Sequence, residues 1–532
     1  MRDAGELAVA STGAEGPTLR LAELLAAVSL ATDLADDAPL ESALGDALTA
    51  LALARVAHLS GDDLADVYYL SLLYHVGCTA AADAQERIVA GDDTGRSRWF
   101  SEADYADGKE LLQLAAPKAA ANWGIPDREA AVGRLLTRLE GSLAQSFAAI
   151  CEVGARLGER LGAGPRVVKA LDHAYARWDG QVYFLLPNGE AISYHARLVH
   201  LVHVARVYAR AGGVEGADEV VRARSGGEFD PELCDLWLAN SAEVLGDQTR
   251  GSLWEAALAA EPEPHRMVAG SHIDLVTAAL GDFVELKSAH SVGHAARVAE
   301  LAQSAAVALG LDAAQVIDVR RAAQVHDLGN VSVPNRIWAK PGPLNRAERE
   351  RVCLHPYQTQ RVLTVAESLR PIGVLAGMHH ERLDGSGYYR GLPAGAIPMP
   401  ARVLAVAEVY QSMTEERPWR AALSRADAAA QLRADVREGK LDRAAADAVL
   451  DVAGQPPGGR RATRSWPRDL TDREVDVLRL VARGCSNREI AGRLHVTEGT
   501  VHTHIINVYG KIEVNTRAGA ALFALEHDLI QL

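Results

Sequence analysis

The stretch "KSAHSVGHAARVAELAQSAAVAL", from Lys287, repeats apolar residues at helical spacing. It predicts one helix carrying His290 and His294 at i and i+4, on one face. Elsewhere polar groups stand where a helical core would be apolar. His326-Asp327 closes an apolar run, and His355 lies in "RVCLHPYQTQRVL". His379-His380 lie in "AGMHHERLDGSGY", and Glu408 interrupts "ARVLAVAEVYQSM". Near the C-terminus, Thr471 and Glu474 form a capping box for a helix running to about Arg483, which Gly484 ends. A second helix starts after Ser486. A third, "VHTHIINVYGKI", starts after "VTEGT" with Thr497 as its N-cap. Ile490, Leu494, Val501, Ile505 and Ile512 fall on the core face of this trio. Two short helices and a tight turn are what a helix-turn-helix needs to lay its latter helix in the major groove.

Alanine and leucine dominate and aromatics make up 5%, which favours helices over sheets. The expected fold is mostly all-α: two tandem helical domains and a small C-terminal four-helix domain. A chain of 532 residues exceeds one core, so several domains are expected. Residues 1–18 are small and polar and read as a disordered tail. A Pro-Glu-Pro stop follows residue 250, and 453–465 are a Pro-, Gly- and Arg-rich linker. The domains are then 19–250, 265–452 and 466–532.

The first two domains read as copies. "RWDGQVYFLLPNGEAISYHARLVHLVHVARVY", from Arg177, matches "RLDGSGYYRGLPAGAIPMPARVLAVAEVYQSM", from Arg382, 205 positions on. "DVYYLSLLYHVGC", from Asp66, matches "DVRRAAQVHDLGN", 252 positions on. Two elements repeating in order point to a tandem duplication. In the first copy Tyr74-His75 take the His326-Asp327 places, Ala174-Tyr175 the double-histidine places and His203 the Glu408 place. His75, His173, His195, His200 and His203 remain, out of ligand order, so this copy is expected to be non-catalytic.

A net charge of -15 opposes any nonspecific grip on DNA, so DNA contact must be local. Five dispersed cysteines without a CxxC pair argue against a disulfide framework or cysteine zinc site and suit a reducing cytoplasm. No basic-then-apolar leader opens the chain, and no run of about 18 apolar residues suggests a membrane span.

Imidazoles and carboxylates delivered inward by several helices are a way to build a metal site in a bundle. That mixture suits iron, manganese or zinc and not calcium. Residues 281–450 resemble the HD-GYP branch of the HD metal-dependent phosphohydrolases, through "GHAARVAEL", "HDLG", "VPNRIWAKPGPL", "LHPYQT", "HHERLDGSGY" and "EERPWR". The resemblance implies two divalent metals, iron or manganese; His290 falls where some members supply an extra ligand for a third, and a surface histidine is the reading favoured for it. The implied ligands are His294, His326, Asp327 as bridging group, His355, His379 and His380, with Glu408 in place of the usual aspartate. Asp327 and Asn330 fall on catalytic positions. Lys340, Tyr388, Arg417 and Arg420 fall on substrate-holding ones. Gly385 and Gly387 would allow the turn that presents Tyr388. Asn330 stands where the family has a lysine, and Tyr389 where it has a proline. The implied ligand is a phosphorylated small molecule, cyclic di-GMP by family expectation.

From Leu470 onward the chain is similar to the LuxR-type helix-turn-helix. The similarity places His502, Thr503 and Ile506 toward DNA base edges, Lys511 and nearby polar groups on phosphates, and Thr500 among the DNA-binding residues. Residues 466–532 hold eight Lys/Arg and nine Asp/Glu, so this module is not net basic. Weak binding as a monomer, a homodimer, and help from Arg460, Arg461 and Arg464 are therefore expected. The leading reading is a cytoplasmic transcription regulator whose HD-type domain controls DNA binding. An active phosphodiesterase with an appended DNA-binding module is the alternative, and a purely dimerising scaffold is a third reading.

Overall fold

The computed structural model describes residues 19–81, 128–181, 185–246, 252–288, 290–454, 466–494, 496–527, 529–530 and a few between 103 and 110. The expected tail, most of the linker and its arginines lie outside these. Helices dominate the described residues. The only sheet among them is two-stranded, β1 (Leu19–Arg20) antiparallel to β2 (Met267–Val268).

The first unit contains α1 (Leu21–Ala35), α2 (Ser42–Val56), α3 (Asp62–Leu73), α4 (Arg128–Arg160), α5 (Pro165–Asp172), α6 (Tyr194–Arg224), α7 (Pro231–Leu245) and α8 (Leu253–Ala259). The apolar faces of α1 and α2 are almost continuous. Leu24, Leu25, Leu44, Leu51 and Leu53 have no exposed surface. Helix α8 lies in what the sequence presented as a break. It belongs to this unit: Tyr68 Oη donates to the Ala257 carbonyl (3.0 Å), and Tyr69 Oη donates to Glu261 (2.5 Å). Burying two phenols requires such partners, so the Pro-Glu-Pro segment acts as a clamp and not as a spacer.

The second unit runs through α9 (His272–Glu285), α10 (His294–Ala308), α11 (Ala313–Val325), α12 (Asn335–Trp338), α13 (Arg346–Cys353), α14 (His355–Leu363), α15 (Arg370–Ala376), α16 (Met399–Met413), α17 (Arg425–Arg437) and α18 (Arg443–Gly454). One hydrophobic cluster spans both units, from Leu21 to Val449. The predicted helix from Lys287 begins only at His294. Gly293 takes φ 78°, and Glu285 accepts from the Gly293 and Ala295 backbone N–H groups. That carboxylate stands where an intrahelical carbonyl would, so His290 is left exposed on the preceding turn and does not share a helix face with His294.

The C-terminal module is α19 (Asp472–Ala482), α20 (Asn487–Leu494), α21 (Glu498–Ile512) and α22 (Arg517–Glu526). The Thr471/Glu474 capping box and the Thr497 N-cap form as expected. Ile490, Val501, Ile505 and Ile512 are buried in its core, and Leu494 packs against it.

Glu228 in the first unit faces His200 Nε2 (3.0 Å) and Arg224 Nη1 (2.9 Å). Burial opposes its charge, but His200, Arg224 and Arg177 outweigh burial and hold its carboxyl at about 2. Its folded pKa is depressed. It therefore stabilises the fold above the unfolded value of about 4.3 and loses that contribution as pH falls toward 2. The contribution is on the order of 3 kcal/mol. Glu228→Gln should weaken the chain at pH 7 and converge with the parent near pH 2, as followed by circular dichroism during acid and thermal unfolding.

Candidate metal centre

Five segments deliver the centre. His294 opens α10, His326-Asp327 follow α11, His355 opens α14, His379-His380 follow α15, and Glu408 lies within α16. Helix ends aim side chains inward here because the next segment turns away. The turn after His326 is held by Thr359, whose hydroxyl donates to the His326 carbonyl (3.0 Å) and accepts from Gly329 N (2.8 Å).

Three imidazoles are oriented by the same device. His326, His355 and His379 each place Nδ1 2.7 Å from the carbonyl three residues back, at Ala323, Val352 and Ala376. A carbonyl only accepts, so Nδ1 carries the proton and Nε2 presents a lone pair. His294 Nδ1 instead meets the Glu415 carboxylate at 2.8 Å. Outer partners of this kind fix metal-ligating histidines.

The lone pairs converge on Asp327. Its Oδ2 lies 3.3 Å from His326 Nε2 and 3.9 Å from His294 Nε2. Its Oδ1 lies 3.3 Å from His355 Nε2 and 3.7 Å from His379 Nε2. Glu408 Oε2 joins the first group, 2.8 Å from His294 Nε2 and 3.4 Å from His326 Nε2. His380 completes a trio with His355 and His379, and His294, His326 and Asp327 make another.

Several of these atoms are poorly satisfied by the protein alone. His294 Nε2, His326 Nε2 and Glu408 Oε2 are buried and make no hydrogen bond of acceptable geometry. His355 Nε2 and His379 Nε2 face one another at 2.9 Å, two acceptors with nothing to share. Cations between these groups would satisfy all of them, so the donor set fits a metal. Burial opposes protonation of His294, but Glu408 and Glu415 outweigh it and raise the imidazole to about 9, so a cation must displace the Nε2 proton to use that lone pair. Burial likewise opposes ionisation of Asp327, and His326 and His355 hold it well below the usual carboxylate range. The His379 and His380 imidazoles are pushed well down, first by burial and then by neighbouring histidines.

A cleft of about 260 Å³ opens onto the centre. Asn330, Tyr388, Arg417 and Arg420 line it. Tyr388 stacks on His380 with ring centroids 4.5 Å apart. Gly387 makes that possible, because a Cβ there would lie 2.4 Å from Arg382 N. Arg417 Nη2 pairs with Glu415 (3.0 Å), while Arg420 donates to the Ser412 and Met413 carbonyls at the end of α16. Lys340 does not line the cleft; it pairs with Glu348 at 2.6 Å. His290 lies outside both ligand groups.

Two residues escaped the sequence reading. Glu415 sits in "EERPWR" beside the arginines that drew attention there. It orients His294 and also pairs with Arg297 and Arg417. Lys287 is buried in the cleft wall and donates to the Val331 and Val333 carbonyls, beside Asn330. Glu415→Gln should lower metal affinity by about 10–100-fold without unfolding the chain, read by competition with a chelating dye.

In the C-terminal module Thr500, His502, Thr503 and Ile506 are exposed on α21, Ile506 by 56%. Lys511 instead ties the module together. Its Nζ meets Glu474 at 2.8 Å and the Asp469 carbonyl at 3.0 Å. Helix α22 is docked on α4: Glu152 accepts from Thr516 Oγ1 (2.7 Å) and Asn515 N (3.1 Å), and Arg156 donates to the Glu513 carbonyl. Val292, two residues before His294, lies in the module's own core.

Residues 278–445 match the HD domain family, and 468–524 match the luxR family of bacterial regulatory proteins. The chain is 26% identical over 409 residues to the 3'3'-cGAMP-specific phosphodiesterase 3 of Vibrio cholerae, covering 76% of this chain and 89% of that one. It is 36% identical over 171 residues to phosphodiesterase 1 of the same organism, covering 32% and 40%. Over 62 residues, 12% of this chain and 30% of the relative, it is 48% identical to the response regulator VraR of Staphylococcus aureus. The crystal structure of the Vibrio cholerae cyclic GMP-AMP phosphodiesterase V-cGAP3 superposes with a TM-score of 0.56 at 23% identity, over 83% of this chain and 99% of that one, a likeness of fold. Among the described residues no helix is long and apolar enough to cross a membrane. The chain thus carries an HD domain homologous to those of HD-GYP phosphodiesterases, followed by a DNA-binding domain of the luxR family.

Proposed function

We propose that this protein is a DNA-binding regulator whose HD domain holds two divalent metals, binds a cyclic dinucleotide and sets DNA affinity. The observation that carries the reading is the division of donors about Asp327. His294, His326, Glu408 and Asp327 Oδ2 would hold one ion, and His355, His379, His380 and Asp327 Oδ1 the other. Such ions supply electrophilic activation of a phosphate diester and of the attacking water. The chain's own residues do the rest. Arg417 faces the cleft with a guanidinium suited to phosphate oxygens. Trp338 Nε1 and Asn330 Oδ1 line the cleft, buried and without hydrogen bonds, a donor and an acceptor waiting for a ligand. Lys287 places a cation beside Asn330, where the family's lysine is missing.

Turnover of the bound dinucleotide is favoured by the complete donor set, so the ligand is both read and removed. Similarity to the Vibrio cholerae enzymes brings 3'3'-cGAMP alongside cyclic di-GMP as substrate. The control of DNA binding rests on the route from His294 to Val292. Ordering His294 on a metal orders the turn that packs into the DNA-binding module, and a ligand shifts that module only if its docked and free states differ in affinity. Operator binding would use a homodimer with His502, Thr503 and Ile506 toward the bases and Thr500 near the backbone. The tandem reading of the two helical units is supported by one shared feature. A Cβ on Gly77 or on Gly329 would lie 2.0 Å from a carbonyl oxygen, that of Ile150 or His355, at the repeat spacings of 252 and 205.

Metal analysis of anaerobically purified protein, with single-turnover hydrolysis of cyclic di-GMP and 3'3'-cGAMP on the same sample, tests the reading. About two metals per chain with linear dinucleotide formed, and DNA retention that changes with dinucleotide, is the expected result. Metal without turnover leaves a ligand sensor. No metal, or DNA retention indifferent to both dinucleotides, overturns the proposal.

A further inference from the structure

The first unit holds a second convergence of ligand atoms, far in sequence from the HD domain. His75 Nε2 lies 3.4 Å from His203 Nδ1, and His203 Nδ1 lies 2.7 Å from Asp46 Oδ2. The three come from the turn after α3, from α6 and from α2. All are buried, at 8%, 8% and 4% exposure. By the repeat spacing His75 and His203 occupy the places of Asp327 and Glu408, so the inward-facing positions are kept while the donor types are exchanged.

The arrangement is awkward as a hydrogen-bond network. His75 Nδ1 is engaged by Tyr175 Oη (3.1 Å) and Asp36 Oδ2 (3.2 Å), which turns its Nε2 toward His203. There it meets Nδ1, whose single proton is already directed to Asp46 at the shorter distance. One hydrogen cannot serve both contacts. The other Asp46 oxygen forms an ion pair with Arg206 Nε at 2.8 Å, so a cation already sits on the outer side of this carboxylate. Charge points the same way: Asp33, Asp36 and Asp46 are all buried at 4% or less, and Asp33 Oδ2 makes no hydrogen bond.

We propose that Asp46, His75 and His203 bind a divalent transition metal, a structural site in the first unit separate from the HD centre. Two imidazoles and one carboxylate are a donor set for zinc or ferrous iron. The 3.4 Å between the two nitrogens is close to the ligand separation on a tetrahedral ion with bonds of about 2.0–2.1 Å. Asp46 Oδ2 needs only to draw back by roughly half an ångström as the ion takes the place of the shared proton. The ion would lock α2, α3 and α6 together at the position where the HD centre locks α10, α11 and α16.

The test is zinc content of the full-length protein after zinc loading and gel filtration, in parallel with far-ultraviolet circular dichroism. His203→Gln and Asp46→Asn should each lose one zinc per chain relative to the parent while keeping the helical signal. Asp327→Asn, which addresses only the HD centre, should keep that zinc, and Asp327→Asn with His203→Gln should lose it. This holds whether or not the HD centre itself loads. Should both first-unit variants fail to fold, X-ray absorption of zinc-loaded Asp327→Asn decides, with an imidazole-containing, sulfur-free shell expected. Unchanged zinc in folded His203→Gln and Asp46→Asn, a zinc-free Asp327→Asn chain, or a shell without imidazole would each overturn the site.

Discussion

Asp327→Asn should abolish metal retention in the HD centre and, on the function proposed, cut cyclic-dinucleotide hydrolysis by at least about 100-fold. The substitution keeps the shape of the side chain and removes its charge. Among the described residues Asp327 is the only carboxylate whose two oxygens face different histidine groups, at 3.3 Å on each side. Without its charge, four inward lone pairs from His294, His326, His355 and His379 keep only Glu408 as a counter-anion, and Glu408 reaches only the first group. Elemental analysis and single-turnover assays on the same preparation check this. A variant that kept its metal and near-parental turnover would overturn the bridging role proposed for Asp327. The expected pattern is loss in kcat with loss of metal, and not a rise in KM alone.

Gly329→Ala should destabilise the second unit by about 3 kcal/mol or more, through overpacking against rigid backbone. A Cβ there would stand 2.0 Å from the His355 carbonyl oxygen and 2.9 Å from His355 Cα. No side-chain rotation relieves a clash with backbone. Either the turn after Asp327 or the start of α14 must move, and both carry proposed metal ligands. Gly342→Ala is the control, since nothing lies within 4 Å of its added methyl. Thermal unfolding followed by circular dichroism and metal content should both fall for Gly329→Ala and stay parental for Gly342→Ala. Equal behaviour of the two would show that the close approach is not required.

Much of the candidate centre was legible in the chain because its inward-facing imidazoles and carboxylates are conspicuous. A charged or imidazole group inside an apolar run needs a reason, and His326-Asp327 and Glu408 announced themselves that way. Asp46 carries the same signal within the apolar α2 and was passed over, since its partners His75 and His203 lie in other helices and only packing unites them. Glu415 and Lys287 were harder to see. Glu415 follows α16 and acts through His294; Lys287 is spent on two backbone carbonyls. Neither role has a local pattern. His290 is exposed, as a surface histidine should be; the helix start was missed because helical spacing continues through Lys287–Gly293, while the Glu285 carboxylate, from another helix, takes the N–H groups that a longer helix would have used.

The helical class, the caps and core of the C-terminal module, and the identity of the inward-facing imidazoles follow from local pattern, because they depend on period, capping chemistry and the cost of burying polar groups. Packing between distant segments sets which oxygen of Asp327 faces which histidines, ties Lys340 and Lys511 to glutamates, rests α22 on α4, and brings Val292 into the core of the DNA-binding module. Those outcomes depend on contacts between segments tens to hundreds of residues apart. No periodicity within one segment encodes them, because each is settled by which side chain reaches a partner first when the helices pack.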